Sequence, residues 1–213
     1  MERNAAANAM IPGLRYVAEY LDVVTHESLL SSIDAGAWRD FGERRAQIYG
    51  YSYHYTKGGL YRVEDLPPWV EDLSARFVRD GLMPDAADQL IVNDYVSGQG
   101  IPAHVDAPLF ADTIISVSLG SSCVMEFTNE DGAAEEHFLE PRSALVIGGV
   151  ARHEWKHSIP RRSVDSWQGR EWPRGRRVSL TFRKVLPADR RPAWEPASWA
   201  NVRKRLRPPQ PGD

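Results

Sequence analysis

The sequence predicts an α+β chain that is mainly β: an antiparallel double-sheet jelly roll with helices flanking it on the N-terminal side. Apolar residues recur at helical spacing only in two early stretches. From Gln89 onward the period changes to two, and turn signals such as Asn129-Glu-Asp-Gly132 and Gly148-Gly149 cut the run into short strands. Helices first and strands afterwards favour a layered jelly roll over an alternating α/β fold. At 213 residues and 42% apolar content, the chain can bury a sizeable core in one unit.

In order, residues 1–13 form an expected flexible leader and residues 16–24 a strand. Thr25 then stands where a helix N-cap would, ahead of Leu29, Leu30 and Ile33, and Gly36 ends that helix. From residue 48 to 55, Tyr49, Tyr51, Tyr53 and Tyr55 alternate, which puts all four on one face of a strand. Such a face either packs or stacks on bases. Gly58-Gly59 and Pro67-Pro68 bracket a loop, and residues 69–80 carry Val70, Leu73 and Phe77 at helical spacing, with Gly81 closing the helix. Strands follow at 89–96, 103–106, 113–119, 124–127, 137–139, 144–147 and 177–183. The expected unit runs from 14 to 186, with a lid at about 44–66 and a jelly-roll core at about 89–184. Residues 187–213 read as a basic, Pro-rich tail.

Charge is lopsided: residues 1–150 carry 10 Lys/Arg against 23 Asp/Glu, whereas residues 151–213 carry 16 against 6. That asymmetry points either to an anionic partner or to arginines with structural or cofactor-binding duties. Cys123 is the single cysteine, which excludes an intrachain disulfide framework and a cysteine zinc cluster. With no secretory h-region and no long apolar run, a reducing, cytoplasmic setting without a membrane partner is expected.

On a strand, His104 and Asp106 project to one side with Val105 turned away, a ready-made pair of metal ligands. Two histidines and one carboxylate form the facial set that suits non-haem Fe(II), and His157 is the candidate for the third position. The last strand alternates sharply. Arg177, Ser179, Thr181 and Arg183 are polar while Val178, Leu180 and Phe182 are apolar, so one face meets the core and the other lines something wet. The two arginines lie roughly 20 Å apart along the strand. Leaning inward, they could clasp a small dicarboxylate, since the guanidinium fork matches a carboxylate; a solvated charged strand is the plainer reading. His153-Glu-Trp-Lys-His157 also spells the H-E-x-x-H of zinc metallohydrolases. Gly148-Gly149 before it and Pro160 after it leave too little chain for the helix that chemistry needs.

Taken together, Asn93/Tyr95, His104/Asp106, Trp155/His157 and Arg177/Arg183 resemble the signature of the AlkB-like Fe(II)/2-oxoglutarate-dependent dioxygenases, over about residues 49–184. The resemblance implies a double-stranded β-helix with Fe(II) held by His104, Asp106 and His157. It also implies 2-oxoglutarate held at its distal carboxylate by Arg177 with Tyr95, faced at its other end by Arg183 with Asn93, and lined by Ser179 and Thr181. The implied reaction consumes O2, converts 2-oxoglutarate to succinate and oxidises a substrate C–H bond, giving a stable alcohol or, from an N-methyl group, formaldehyde and the demethylated base. Gly50-Tyr51-Ser-Tyr53 is similar to the family's nucleotide-contacting lid, which makes Tyr51, Tyr53 and the nearby Arg45 expected substrate contacts and a modified nucleobase in RNA or DNA the expected substrate. A protein or small-molecule hydroxylase on the same scaffold is the alternative. Pro108 stands where the DNA-repair members carry a second Asp, and the run from His104 to Phe127 looks closer to the tRNA wobble-uridine hydroxylase branch. The oligomeric state is left open.

Overall fold

The computed structural model describes residues 11–42, 44–53 and 60–191, the Tyr53 side chain excepted. The first ten residues of the expected leader, Glu43, residues 54–59 with Tyr55 and Gly58-Gly59 among them, and the tail from residue 192 lie outside the described residues. In chain order the elements are β1 (Leu14–Val17), α1 (Val23–Asp34), β2 (Arg39–Asp40), β3 (Arg45–Tyr49), β4 (Tyr51–Tyr53), β5 (Leu60–Arg62), α2 (Pro68–Arg79), β6 (Gln89–Tyr95), β7 (Ile101–His104) and β8 (Phe110–Gly120). There follow β9 (Cys123–Asn129), β10 (Ala134–Leu139), β11 (Ala144–Ile147), α3 (Gly149–His153), β12 (Trp155–Ile159), β13 (Val164–Trp167), β14 (Arg170–Pro173), β15 (Arg177–Val185) and a short 3-10 turn.

Two antiparallel sheets carry the architecture, one in the order β1-β11-β8-β15-β6-β3-β2 and one in the order β10-β9-β12-β7. This is the expected mainly-β jelly roll with helices contributed from the N-terminal side. Period two sorts the side chains of the large sheet. Val178, Leu180 and Phe182 of β15 and Ile115, Val117 and Leu119 of β8 join Leu29 and Ile33 of α1 and Val70, Leu73 and Phe77 of α2 in one core. Phe77 meets Phe182 edge-on with centroids 5.0 Å apart. The other face of the same sheet, through Leu145 and Ile147, packs on Cys123, Met125, Phe127, Trp155 and Ile159 of the small sheet. Arg177, Ser179, Thr181 and Arg183 share that second face, so β15 turns its polar side into the space between the sheets.

Several boundaries differ from expectation, each for a local reason. The first strand ends at Val17, because Glu19 takes φ +48° and turns the chain. Asp22, not Thr25, caps α1: its carboxylate accepts from the Thr25 N–H at 2.7 Å, so the helix begins earlier. The tyrosine row is broken, since Gly50 at φ +76° ends β3 and sends Tyr49 and Tyr51 into different sheets. Tyr49 packs edge-on against Trp69, and Tyr51 packs with Leu60 on Ala107, Phe110 and Val185. Strand β7 stops at His104, so Asp106 belongs to the connection after it and not to the strand. Not anticipated from the sequence are the short strands β2 and β5, the turn-length helix α3, the strand β12 that carries His157, and the hairpin β13–β14.

Gly50 is a position where only glycine fits. Its positive φ disfavours any side chain, and a Cβ there would sit 1.9 Å from the Asp88 carbonyl oxygen. Gly132 shares a positive φ but has open space around it. Gly132→Ala should therefore cost only the left-handed penalty of about 1–2 kcal/mol, and Gly50→Ala clearly more, as read by urea denaturation. Equal losses in the two variants would show that the approach to Asp88 is relaxed without cost.

Candidate active site

Register sets the interior end of the central strands. Arg177 opposes Tyr95 on β6 and Gly120 on β8, and Ser179 opposes Asn93 and Ser118. Arg177 is only 3% exposed. Its Nη2 donates to Ser118 Oγ at 2.9 Å and its guanidinium stands 5.9 Å from the Tyr95 ring centroid, while Nε and Nη1 have no hydrogen-bond partner among the described residues. Burial raises the Tyr95 phenol above its usual pKa despite the nearby Arg44 and Arg177, which leaves it protonated and able to donate. Arg44 donates to Asn93 Oδ1 at 2.8 Å. An arginine can only donate, so the Asn93 amide must turn its oxygen to Arg44 and keep its NH2 for another acceptor. Ser116 and Ser179 share a hydrogen bond of 3.1 Å beside them. One end of the interior therefore holds a surplus of donors around a buried positive charge, the character of a carboxylate pocket.

The other end gathers the imidazoles. His104 and His157 are register partners across β7 and β12, with ring centroids 4.3 Å apart. His104 Nδ1 lies 2.8 Å from the Pro102 carbonyl oxygen. A carbonyl only accepts, so Nδ1 carries the hydrogen and Nε2 is left for a ligand, the arrangement that orients metal-binding histidines. Burial, reinforced by His104, pushes His157 down to about 4, so the ring is neutral near pH 7. Asp106 Oδ2 lies 3.8 Å from His157 Nε2, and its Oδ1 accepts from Arg183 Nη2 at 2.5 Å. Burial alone would raise this carboxyl, but Arg183, His157, His104 and Arg152 outweigh it and hold the group well below the usual carboxylate range.

Among the described residues, no three His, Cys, Asp or Glu side chains are already poised around a metal ion. At Asp106, Oδ1 is engaged with Arg183 and Oδ2 faces His157. The donor set itself fits Fe(II): two imidazole nitrogens and one carboxylate drawn to one place. The buried, unpaired nitrogens of Arg177 fit the carboxylate of 2-oxoglutarate equally well.

The family model for the 2OG-Fe(II) oxygenase superfamily matches residues 28–183. The chain belongs to that superfamily, on its AlkB-like side. It is 35% identical over 205 residues to "tRNA (carboxymethyluridine(34)-5-O)-methyltransferase ALKBH8" of Macaca fascicularis, covering 83% of this chain and 31% of the relative. The chain thus spans about a third of that protein's length. "Probable RNA/DNA demethylase ALKBH6" of Danio rerio is 26% identical over 204 residues, covering 82% of this chain and 86% of the relative. Among solved structures, "The structure of OsALKBH1" superposes with a TM-score of 0.57 at 19% identity, covering 81% of this chain and 97% of that one, which speaks to the fold. As an AlkB-like oxygenase the chain is a dioxygenase, of a superfamily that works with Fe(II), 2-oxoglutarate and O2. No helix among the described residues is long and apolar enough to cross a membrane.

The remaining expected site residues fall in three places. Thr181 lies midway along the polar face of β15, opposite Ile91 and Ser116. Arg45 sits at the Arg177 end of the sheet, paired with Asp94 at 2.8 Å and stacked 4.4 Å over Trp38. The side chain of Tyr53 lies outside the described residues. Sequence reasoning passed over Gln89, which faces Arg183 and accepts from its Nη1 at 3.1 Å, as well as Ser118, Arg44 and Arg152. Period two from Asn93 and Ser116 would have found the first two; Arg44 comes from the bend before β3 and Arg152 from the short helix α3, and neither carried a sequence signal.

A pH dependence follows from His157. Its pKa is lower folded than unfolded, so the stability gained by keeping it neutral is present above about 6.5 and lost as pH falls toward 4. In metal-free protein, His157→Gln should flatten the loss of melting temperature between pH 6.5 and 4. An unchanged slope would mean that the ring is solvated.

Proposed function

We propose that this chain oxidises a C–H bond of a modified nucleobase in RNA or DNA. His104, Asp106 and His157 hold Fe(II), and 2-oxoglutarate lies along the polar face of β15. Arg177, with Tyr95, takes the distal carboxylate and Arg183 faces the other end, with Ser179 and Thr181 between; Asn93, expected beside Arg183, opposes Ser179 instead and so joins the Arg177 end, while Gln89 opposes Arg183. Fe(II) bound there supplies the coupling of O2-dependent decarboxylation of 2-oxoglutarate to oxidation of the substrate carbon. The residues supply placement. Arg177 fixes the co-substrate by a forked contact that a point charge cannot make, and the Phe127, Ile159 and Ile101 side chains around the histidines keep water sparse.

The observation that carries the co-substrate reading is Arg177: a guanidinium 3% exposed with two nitrogens unpaired asks for an anion. For the substrate class, two facts give support. The names of the relatives speak of tRNA and of RNA/DNA. The β4–β5 hairpin packs Tyr51 and Leu60 against Ala107, beside Asp106, where a lid over the metal end would rest.

Two substitutions separate the parts. Arg177→Lys should raise the 2-oxoglutarate requirement by about ten- to a hundredfold, the worth of a charge-assisted contact of about 1.5–3 kcal/mol, and leave Mn(II) binding unchanged. Tyr51→Ala should spare uncoupled succinate release and lower turnover of the polynucleotide by about tenfold or more. Nucleoside mass spectrometry of RNA and DNA treated with the enzyme identifies the base. Succinate release stimulated by a peptide or small metabolite, but by no nucleic acid, would replace the nucleobase reading with a hydroxylase of that other class.

A further inference from the structure

Asp106 differs from the two histidines beside it in having no strand to hold it. The β7 ladder stops at His104, and residues 105–107 run as a buried connection toward β8. A carboxylate on an unladdered segment needs another source of rigidity if it is to keep one geometry.

Arg152 is placed to provide it. The side chain is 2% exposed, and its guanidinium donates through Nη1 to the Asp106 carbonyl oxygen at 3.0 Å and through Nη2 to the Ala107 carbonyl oxygen at 2.9 Å. No carboxylate bonds it directly among the described residues, and its Nε is unpartnered. The Asp106 carboxylate offsets part of the guanidinium charge through space, but the direct bonds of Arg152 among the described residues go to two carbonyls. A buried cation is an expensive way to satisfy two backbone acceptors, which argues that holding this segment is its task. Its platform is firm. The α3 turn that carries it is tied down by the Ala151 N–H to the Pro12 carbonyl at 3.0 Å and by the Gly149 N–H to Asp112 at 3.0 Å. The same short stretch continues directly into β12, where His157 stands five residues on.

We infer that Arg152 is a positioning residue for the metal site: it clamps the backbone of Asp106 and Ala107, so one stretch of chain both contributes His157 and fixes the carboxylate opposite it. The inference rests on the reading of His104, Asp106 and His157 as the Fe(II) ligands. Losing such an outer-shell partner costs about 10–100-fold in metal affinity.

The test is Mn(II) binding to metal-free protein, followed by the electron paramagnetic resonance of free Mn(II), together with melting temperature. Arg152→Met should weaken Mn(II) binding by about 10–100-fold, and Arg152→Lys, which keeps the charge but not the fork, by less. Arg174→Met serves as the control for lost stability, because Arg174 is also buried but bonds to Asp165 and the Pro160 carbonyl and not to the Asp106–Ala107 backbone. It should lower the melting temperature and leave Mn(II) affinity alone. Mn(II) affinity in Arg152→Met within twofold of the unsubstituted protein overturns the clamp; should that variant not fold, Arg152→Lys is judged by the same criterion. If the unsubstituted protein binds no Mn(II), or His157→Ala binds it as tightly, the ligand assignment itself fails and the clamp loses its object.

Discussion

Two buried arginines show what the interior is built to do. Arg174 has every nitrogen engaged, through Asp165 and the Pro160 carbonyl, and closes the hairpin β13–β14 against Val124 of β9. Arg177, three residues on, has one bond to Ser118 and two nitrogens with nothing. Each unpaired buried donor costs about 1–3 kcal/mol. Burying Val178, Leu180 and Phe182 on the opposite face of the same strand returns about 1.5–3 kcal/mol per side chain, so the strand tolerates the deficit. Arg174 is closed on its own partners, whereas two nitrogens of Arg177 have no hydrogen-bond partner among the described residues.

That division runs through the whole large sheet. One face meets α1 and α2 over a dry core, and the other carries the serines, Asn93, Tyr95 and the arginines toward the small sheet. Neither the helices nor the core behind β15 touch the chemistry, yet they set the register of β15 against β6 and β8, and register alone decides that Arg177 meets Tyr95 and Arg183 meets Gln89. A slip of one residue would exchange the faces.

What was legible in the sequence was whatever alternation writes. Residues 177–183 declare both faces of β15, and the helix at Val70, Leu73 and Phe77 lies where its spacing puts it. What was not legible depends on partners far along the chain. Asp106 was expected on a strand because His-x-Asp has the right period, but the partner ladder from β12 ends at His104. The tyrosine row looked continuous because Gly50 is one letter, whereas its positive φ parts two sheets. The surplus of arginine in the C-terminal part reads differently in three dimensions: Arg176 bridges Asp34 and Asp94, and Arg183 pairs with Asp106, so much of the imbalance is the two parts of the chain neutralising each other. Sign counts along a sequence cannot see pairs 77 to 142 residues apart.

The His153-Glu-Trp-Lys-His157 segment shows the same principle at its sharpest. Metallohydrolase chemistry requires the two histidines one turn apart on one helix, facing one metal. Here α3 lasts five residues and ends at His153, and β12 begins at Trp155. His153 faces outward and pairs with Asp112 at 2.9 Å. After the break the period is two, so Trp155, His157 and Ile159 turn inward while Lys156 turns out. His157 therefore lands between Phe127 and His104, on the opposite side of the chain from His153. The five letters specify a zinc site only on a helix, and here the chain leaves the helix at Glu154, before the second histidine is reached.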